Sequence, residues 1–371
     1  MQARRGTGIE TFAKRCKMTP DAIQGRTSRM TRDIGTDHTH GGAEKPTLRT
    51  VAQATGFSVA TVSRALADDP RIAARTRAIV AEAAKRLGYI PDRAARRLRT
   101  GRTQVITLLL NTEHEFLGFT HEFLSGITER LRGTGYSVTV VPDDPGEDRL
   151  TPVRTILRNN LADGLLFTRT ECFDPRVRML MEAGLPFVSH GRTEFTMPHP
   201  YVDFDNEAFA RQAVARLVEQ GRDRLSMILP DDKFTFCQHL RYGFVSAARE
   251  AGVAHEVLEG VTLDSDREEI SCALNACLRR PERPNGFVCV GEVTALMTMA
   301  AMTDAGLTPG IEADIVAKRA SPIFDNIRPR IETVYEDLRA TGRAMAEMLL
   351  RRIDGEPAEG LHVLFEPGRC G

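Results

Sequence analysis

No run of this 371-residue chain approaches the ~20 consecutive apolar residues that a membrane-spanning helix needs, and the N-terminus lacks the basic-then-apolar layout of a signal peptide. The expected compartment is therefore the cytoplasm. Seven cysteines form no C-x-x-C pair and meet no histidine at zinc-binding spacing, so reduced thiols are expected, without a disulfide framework, a metal site or a cofactor. Catalytic signatures are missing as well: no G-x-S-x-G elbow, no H-E-x-x-H, no phosphate-binding G-x-x-x-x-G-K-[ST] and no strand-borne G-x-G-x-x-G. "HEFLG" and "HEFLS" open like a zinc-protease motif but have no second histidine. These absences leave little room for an enzyme. A sugar-binding protein of an uptake system would need an export signal. No internal repeat marks a solenoid.

Net charge is also absent, yet its distribution is uneven. Residues 43–103 carry 13 Lys/Arg against 5 Asp/Glu, whereas residues 104–371 carry 29 against 41. A small basic module ahead of a large acidic one suggests a polyanion-binding head on a body that nucleic acid would repel. Residues 1–44 are polar, rich in Gly and Thr and without sustained periodicity, and read as a disordered extension.

From Thr47 the pattern becomes helical. Leu48, Val51 and Ala52 share one face, Gly56 interrupts, and Ser58 stands as an N-cap before "VATVSRAL", where Val62 and Leu66 share a face. A third helix from about Arg75 to Leu87 repeats the period through Ile79, Ala83 and Leu87 and stops at Gly88. Three short helices with a glycine turn outline a helix-turn-helix over 45–90. In such a motif the first residues of the second helix meet base edges: Val59, Ala60 and Ser63, with Arg64 one turn on to pair with guanine, while Thr50, Ser58 and Thr61 suit phosphate oxygens.

After Gln104 short apolar runs ("VITLLL", "YSVTVV", "GLLFT", "PFVSH", "LSMIL", "GFVCV", "ADIVA") alternate with helical patterns such as "FARQAVARLVEQG". Buried strands with crossover helices predict an α/β body of parallel sheets, split in two around a cleft. The methionines of "ALMTMAAMTDAGL" (Met297, Met299, Met302) are helically spaced and read as core or interface packing.

The stretch "LRTVAQATGFSVATVSRALADDPRIAARTRAIVAEAAKRLGYIPDRAARRLRTGRT" resembles the DNA-binding head of LacI/GalR-family bacterial transcription regulators nearly position by position. The resemblance implies a homodimer on a pseudo-palindromic operator with a central C·G step. It implies a hinge helix within residues 91–103, from Asp92 to about Arg99, whose Leu98 wedges into the minor groove, the cost of unstacking being offset by new contacts. By the same resemblance Tyr89, Arg93, Ala95 and Arg96 join the DNA-facing set. Asp92 departs from the asparagine of many relatives.

In the body, "PFVSHGR", "YVDFDNEAFARQAVARLVEQGRDRLSMI", "HLRYGFVSAAREAGV" and "IETVYEDLRATGRAMAEMLLRRIDGE" resemble the family's periplasmic-binding-protein-like effector core over 104–368. Subdomain one would take about 104–203 and 337–360, and subdomain two about 204–336 with the final strand near 361–368. Effector contacts implied by position are His114, Glu115, Phe116 and Phe119 after strand one, His190 and Arg192 after "PFVS", Phe236, His239 and Arg241 before "GF", Glu292 after "GFVCV", and Lys318 with Arg319 after "ADIVA". Gly291-Glu292, Gly191-Arg192 and Lys318-Arg319 stand where relatives often carry acidic residues. Arg192, Arg241, Lys318 and Arg319 would suit an anionic effector such as a sugar phosphate. Against that, "FVSHGRTE", "HPYVDFDNEAFA" and "AKRASPIFDNIRP" resemble the branch associated with α-glucoside utilisation operons, which favours a neutral sugar. The function implied is a repressor of a carbohydrate uptake or utilisation operon.

Overall fold

The computed structural model describes residues 46–89, 97, 101–111, 118–143 and 148–368. The extension over 1–44 and most of the hinge therefore lie outside the described residues. The chain divides into two compact units, one ending at residue 90 and the other beginning at 91.

The first unit holds three helices. Helix α1 (Leu48–Thr55) starts with a reciprocal cap: Thr47 Oγ accepts from the Thr50 N–H at 3.3 Å, and Thr50 Oγ accepts from the Thr47 N–H at 3.1 Å. Gly56 ends it at φ 72°, a left-handed conformation that a Cβ would strain. Helix α2 (Val59–Ala65) is capped by Ser58 and α3 (Ala74–Leu87) stops at Gly88. Val51, Val62 and Val80 are fully buried among Ala52, Ala65, Ala83 and Ala84. Of the seam expected through Ile79, Ala83 and Leu87, the last two face the core and the first does not. Ile79 is 44% exposed and Val80 takes its place, because 80, 83, 84 and 87 are the positions that share a face at helical spacing.

The second unit contains two sheets whose strands all pair in parallel. The first has the order β11-β5-β4-β3-β1-β2, with β1 (Val105–Leu110), β2 (Ser137–Pro142), β3 (Gly164–Phe167), β4 (Phe187–His190), β5 (Tyr201–Phe204) and β11 (His362–Phe365). The second has the order β10-β9-β8-β6-β7, with β6 (Arg224–Met227), β7 (Ala254–Val257), β8 (Gly286–Cys289), β9 (Asp314–Arg319) and β10 (Glu332–Tyr335). Strands β1, β3 and β8 are buried almost throughout, as parallel strands covered on both faces must be. Helices α4 (Phe119–Leu131) and α11 (Leu338–Ile353) cover one face of the first sheet and touch along a glycine seam. A methyl at Gly126 would stand 2.0 Å from the Arg339 carbonyl oxygen, and one at Gly342 would stand 2.3 Å from that of Phe123. The remaining helices are α5 (Leu150–Asn159), α6 (Pro175–Ala183), α7 (Asn206–Glu219), α8 (Thr235–Glu250), α9 (Arg267–Leu278) and α10 (Glu292–Asp304). On α10, Met302 is fully buried and Met297 and Met299 pack against the same cluster.

One expected boundary is corrected. The final strand was expected in subdomain two, but β11 joins the first sheet, with His362 opposite Tyr201 and Phe365 opposite Phe204. Helix α11 already lies on that sheet, so the chain leaving it meets the sheet's free edge beside β5. At the end of this segment Phe365 packs against the core of the second subdomain, and the Gly368 N–H donates to the Tyr335 carbonyl at 3.3 Å.

Candidate functional sites

In the first unit, α2 presents a mixed surface at its N-terminal end. Val59 is 43% exposed, and Ala60 and Arg64 are exposed beside it. Ser58 Oγ accepts from the Thr61 N–H at 3.1 Å and lies 2.9 Å from Thr61 Oγ, so the hydroxyls expected at phosphates also fix the helix start. Thr50 has the same double duty in the α1 cap. Ser63 is half-buried. Tyr89 is half-buried against the small core, its N–H donating to the Ala84 carbonyl at 2.9 Å. Arg93, Ala95, Arg96 and Leu98 lie outside the described residues. Arg97 belongs to the second unit, is exposed, and donates to the carbonyls of Asn159 at 3.3 Å and Asn160 at 2.8 Å, closing the C-terminus of α5.

The second unit holds a cavity of about 640 Å³ at the carboxyl ends of β3, β4, β5 and β9, where open parallel sheets place their ligand crevices. Five expected residues line it: Phe119, His190, Arg192, Phe236 and Lys318. His114, Glu115 and Phe116 lie outside the described residues. Four others do not line it. His239 stands behind Arg192, with Nδ1 3.4 Å from Arg192 Nη2; burial and the neighbouring guanidinium both push its pKa down. Arg241 pairs with Asp232 away from the cavity. Glu292 is fully buried and accepts from the Ala320 N–H at 3.0 Å, the Ser321 N–H at 2.7 Å and the Ser321 hydroxyl at 2.8 Å, so it holds the loop after β9. Arg319 reaches Ser321 O and Asp325 instead, because successive side chains leave a strand on opposite faces and Lys318 takes the inward one.

Residues missed by sequence reasoning complete the wall: Thr168, Arg169 and Thr170 after β3, Asp203 on β5, Asn206 and Thr235 at the starts of α7 and α8, Asp264 in the loop between β7 and α9, and Glu336 just past β10. The cavity lining carries four Lys/Arg and four Asp/Glu. Arg192 Nε sits 3.0 Å from Asp203, Lys318 Nζ sits 2.9 Å from both Glu336 and Asn206 Oδ1, and Arg169 pairs with Asp264. Lys318 also stands 4.7 Å from the centre of the Phe204 ring, a cation–π contact. Burial pushes the Asp203 carboxyl up to about 6 despite Arg192, and burial holds the His190 imidazole below its ordinary value and so neutral.

Four buried polar atoms of this wall have no aligned hydrogen-bond partner: Thr168 Oγ, Thr235 Oγ, Arg192 Nε and Glu336 Oε2. The last two have an opposite charge nearby without hydrogen-bond alignment. Behind the wall, the wholly buried Arg176 pairs with Asp174 at 2.7 Å and Asp143 at 2.8 Å and donates to the carbonyls of Thr168 and Arg169, fixing the loop that carries them. Among the described residues no group of His, Cys, Asp or Glu has the geometry of a metal site, and no helix is long and apolar enough to cross a membrane.

A family model described as bacterial regulatory proteins, lacI family, matches residues 47–92, and one described as periplasmic binding protein-like domain matches residues 214–370. The HTH-type transcriptional regulator AglR of Rhizobium meliloti (strain 1021) is 31% identical over 310 residues, 82% of this chain and 86% of AglR. The chain belongs to the lacI family of bacterial regulatory proteins. It is a DNA-binding transcription regulator by that membership. Two solved lacI-family regulators share its fold: the lac repressor dimer bound to operator and the anti-inducer ONPF (TM-score 0.72, 20% identity, 88% of this chain and 97% of that one), and a transcriptional regulator CelR–cellobiose complex (TM-score 0.63, 24% identity, 87% and 98%). The lacI-type match ends at residue 92, so it spans the three helices of the first unit, and the binding-protein match falls on the unit that contains the cavity.

Proposed function

We propose that this regulator is a repressor of a carbohydrate-utilisation operon, reading a pseudo-palindromic operator as a homodimer in the cytoplasm through residues 45–90 and a hinge over 91–103. Its effector is a neutral sugar held in the cleft of residues 104–368. The observation that carries the effector class is the charge balance of the cleft: four cations face four carboxylates, and three of the cations are within ion-pair distance of one. An anion would have to displace those carboxylates, whereas a polyhydroxyl ligand offers both donors and acceptors to the Thr168 and Thr235 hydroxyls, which have no aligned hydrogen-bond partner. Phe119 and Phe236 add apolar faces for a sugar ring. The fold neighbour CelR is a cellobiose complex, which supports the same class. A cleft whose acids and bases are held by one another suits binding rather than turnover, so we infer no enzymatic activity.

Ligand binding shifts DNA affinity only by its differential affinity for the two cleft states. A thermal-shift screen of cellobiose, maltose, sucrose and trehalose beside glucose 6-phosphate and trehalose 6-phosphate tests the class, followed by operator binding with each hit. Stabilisation by a neutral sugar, with a change in operator affinity, is expected; stabilisation by a sugar phosphate alone overturns the neutral reading. For the hinge, Leu98→Ala should weaken operator binding far more than binding to unrelated DNA. Equal losses on both would remove Leu98 as the wedge.

A further inference from the structure

The loop after β3 contains a residue that does more than line the cleft. Arg169 holds φ +57°, left-handed backbone that a non-glycine residue adopts only when its surroundings enforce it. Two guanidinium groups do so: Arg149 Nη2 donates to the Arg169 carbonyl at 3.0 Å and Arg176 Nη2 at 3.2 Å. The side chain thus aimed leaves subdomain one and crosses to subdomain two. Its guanidinium lies 4.2 Å from the centre of the buried Phe234 ring and pairs with Asp264. Asp264 is held in turn, since its second carboxylate oxygen accepts from the Asp231 N–H at 3.2 Å. Backbone bonds cross the same seam: the Cys172 N–H donates to the Lys233 carbonyl at 3.1 Å, and the Thr235 N–H donates to the Thr170 carbonyl at 3.2 Å.

We propose that Arg169 is a positioning residue that clasps the two walls of the cleft together through Asp264 and the Phe234 ring. The assignment rests on the reading of this cleft as the effector site. A cleft already fastened on its β3 side spends less of the ligand's binding energy on closure, so loss of the clasp lowers apparent affinity by the factor by which the closed population falls. The clasp thereby sets effector sensitivity through two cleft residues whose contacts are to each other across the seam.

The test is hydrogen–deuterium exchange on the full-length, ligand-free protein, which reads the clasp whether or not the effector is a sugar. Asp264→Ala and Arg169→Ala should each speed exchange in peptides covering 168–174 and 231–236 by about tenfold, with peptides of β1 and β6 unchanged. The charge-reversed pair Arg169→Asp with Asp264→Arg should recover much of the protection, which a simple packing role would not. Exchange within about twofold of the parent in both single variants, or a rise spread evenly over both sheets, overturns the proposal. If the seam responds as expected while none of cellobiose, maltose, sucrose or trehalose stabilises the protein, the clasp stands and the neutral-sugar reading falls.

Discussion

The two units use charge in opposite ways. In the head, the core is made of valines and alanines, and the groups with chemistry to offer, Arg64 and the hydroxyls of Ser58 and Thr61, lie at the surface of a net-basic stretch. In the body, cations are taken inside and matched one by one: Arg176 with Asp174 and Asp143, Arg192 with Asp203, Lys318 with Glu336. An accumulated surface charge gives long-range attraction to a polyanion and is weakened by salt, whereas paired interior charge gives short-range orientation and is little screened. One chain can therefore meet a polyelectrolyte with one unit and a neutral solute with the other.

The largest expected effect lies in the body's buried pairs. Arg176→Met leaves Asp143 and Asp174 buried with only part of their compensation, and removing one member of a buried ion pair costs about 3–5 kcal/mol. Urea unfolding followed by circular dichroism should show a loss of that size in the body's transition. A loss below about 1 kcal/mol, typical of exposed pairs, would mean the network behaves like surface charge and the contrast between the units fails.

Asp203 sharpens the comparison through pH. Its folded pKa of about 6 lies above the ordinary carboxylate value, so between about pH 4 and 6 the folded chain holds a proton that the unfolded chain has released. Its contribution to stability therefore falls as pH rises through that window. Relative to the parent, Asp203→Asn, which imitates the neutral acid, should gain about 2–3 kcal/mol of stability on going from about pH 4 to about pH 8, on top of whatever pH-independent cost the loss of the Arg192 counter-ion carries. The lowered pKa values of His190 and His239 make the protein lose stability below about pH 6.5, but parent and variant share them, so the difference isolates Asp203. A pH-independent difference would place the carboxylate in water.

How far the sequence could be read follows the same division. Val59, Ala60 and Arg64 were legible because a seven-residue helix with its own N-cap fixes which side chains face out. Even there Ile79 is expected on the buried face of α3 with Ala83 and Leu87, which do face the core, whereas the residue that joins them is its apolar neighbour Val80. In the cleft, His190, Arg192 and Lys318 were legible as residues at or just after strand ends. Asp203 near the end of β5 and Glu336 just past β10 occupy the same kind of position, but their pairing with Arg192 and Lys318 is a tertiary contact that no spacing encodes. Arg169 and Asp264 sit in loops whose course no periodicity encodes. The placement of β11 turned on which free sheet edge lay nearest the end of α11, a tertiary fact.

For the head, Arg64→Ala should cost about 1–3 kcal/mol of operator affinity, the worth of one bidentate guanine contact, with a smaller loss on unrelated DNA. Sugar affinity of the body should be unchanged. Equal loss on both DNAs would assign Arg64 to phosphates and make the head a uniform cationic surface.

The smallest effect is expected where the two units should differ most. Between about 50 and about 200 mM salt, operator affinity should fall by orders of magnitude, because each neutralised phosphate releases counterions. Effector binding over the same range should change by less than about twofold, since a neutral ligand carries no charge to be screened and the cations of its cleft already sit against carboxylates. Isothermal titration with whichever ligand the thermal screen identifies measures this directly. A steep salt slope for the effector would mean that the ion pairs of the cleft open to receive an anion, and the second unit would then use charge as the first one does.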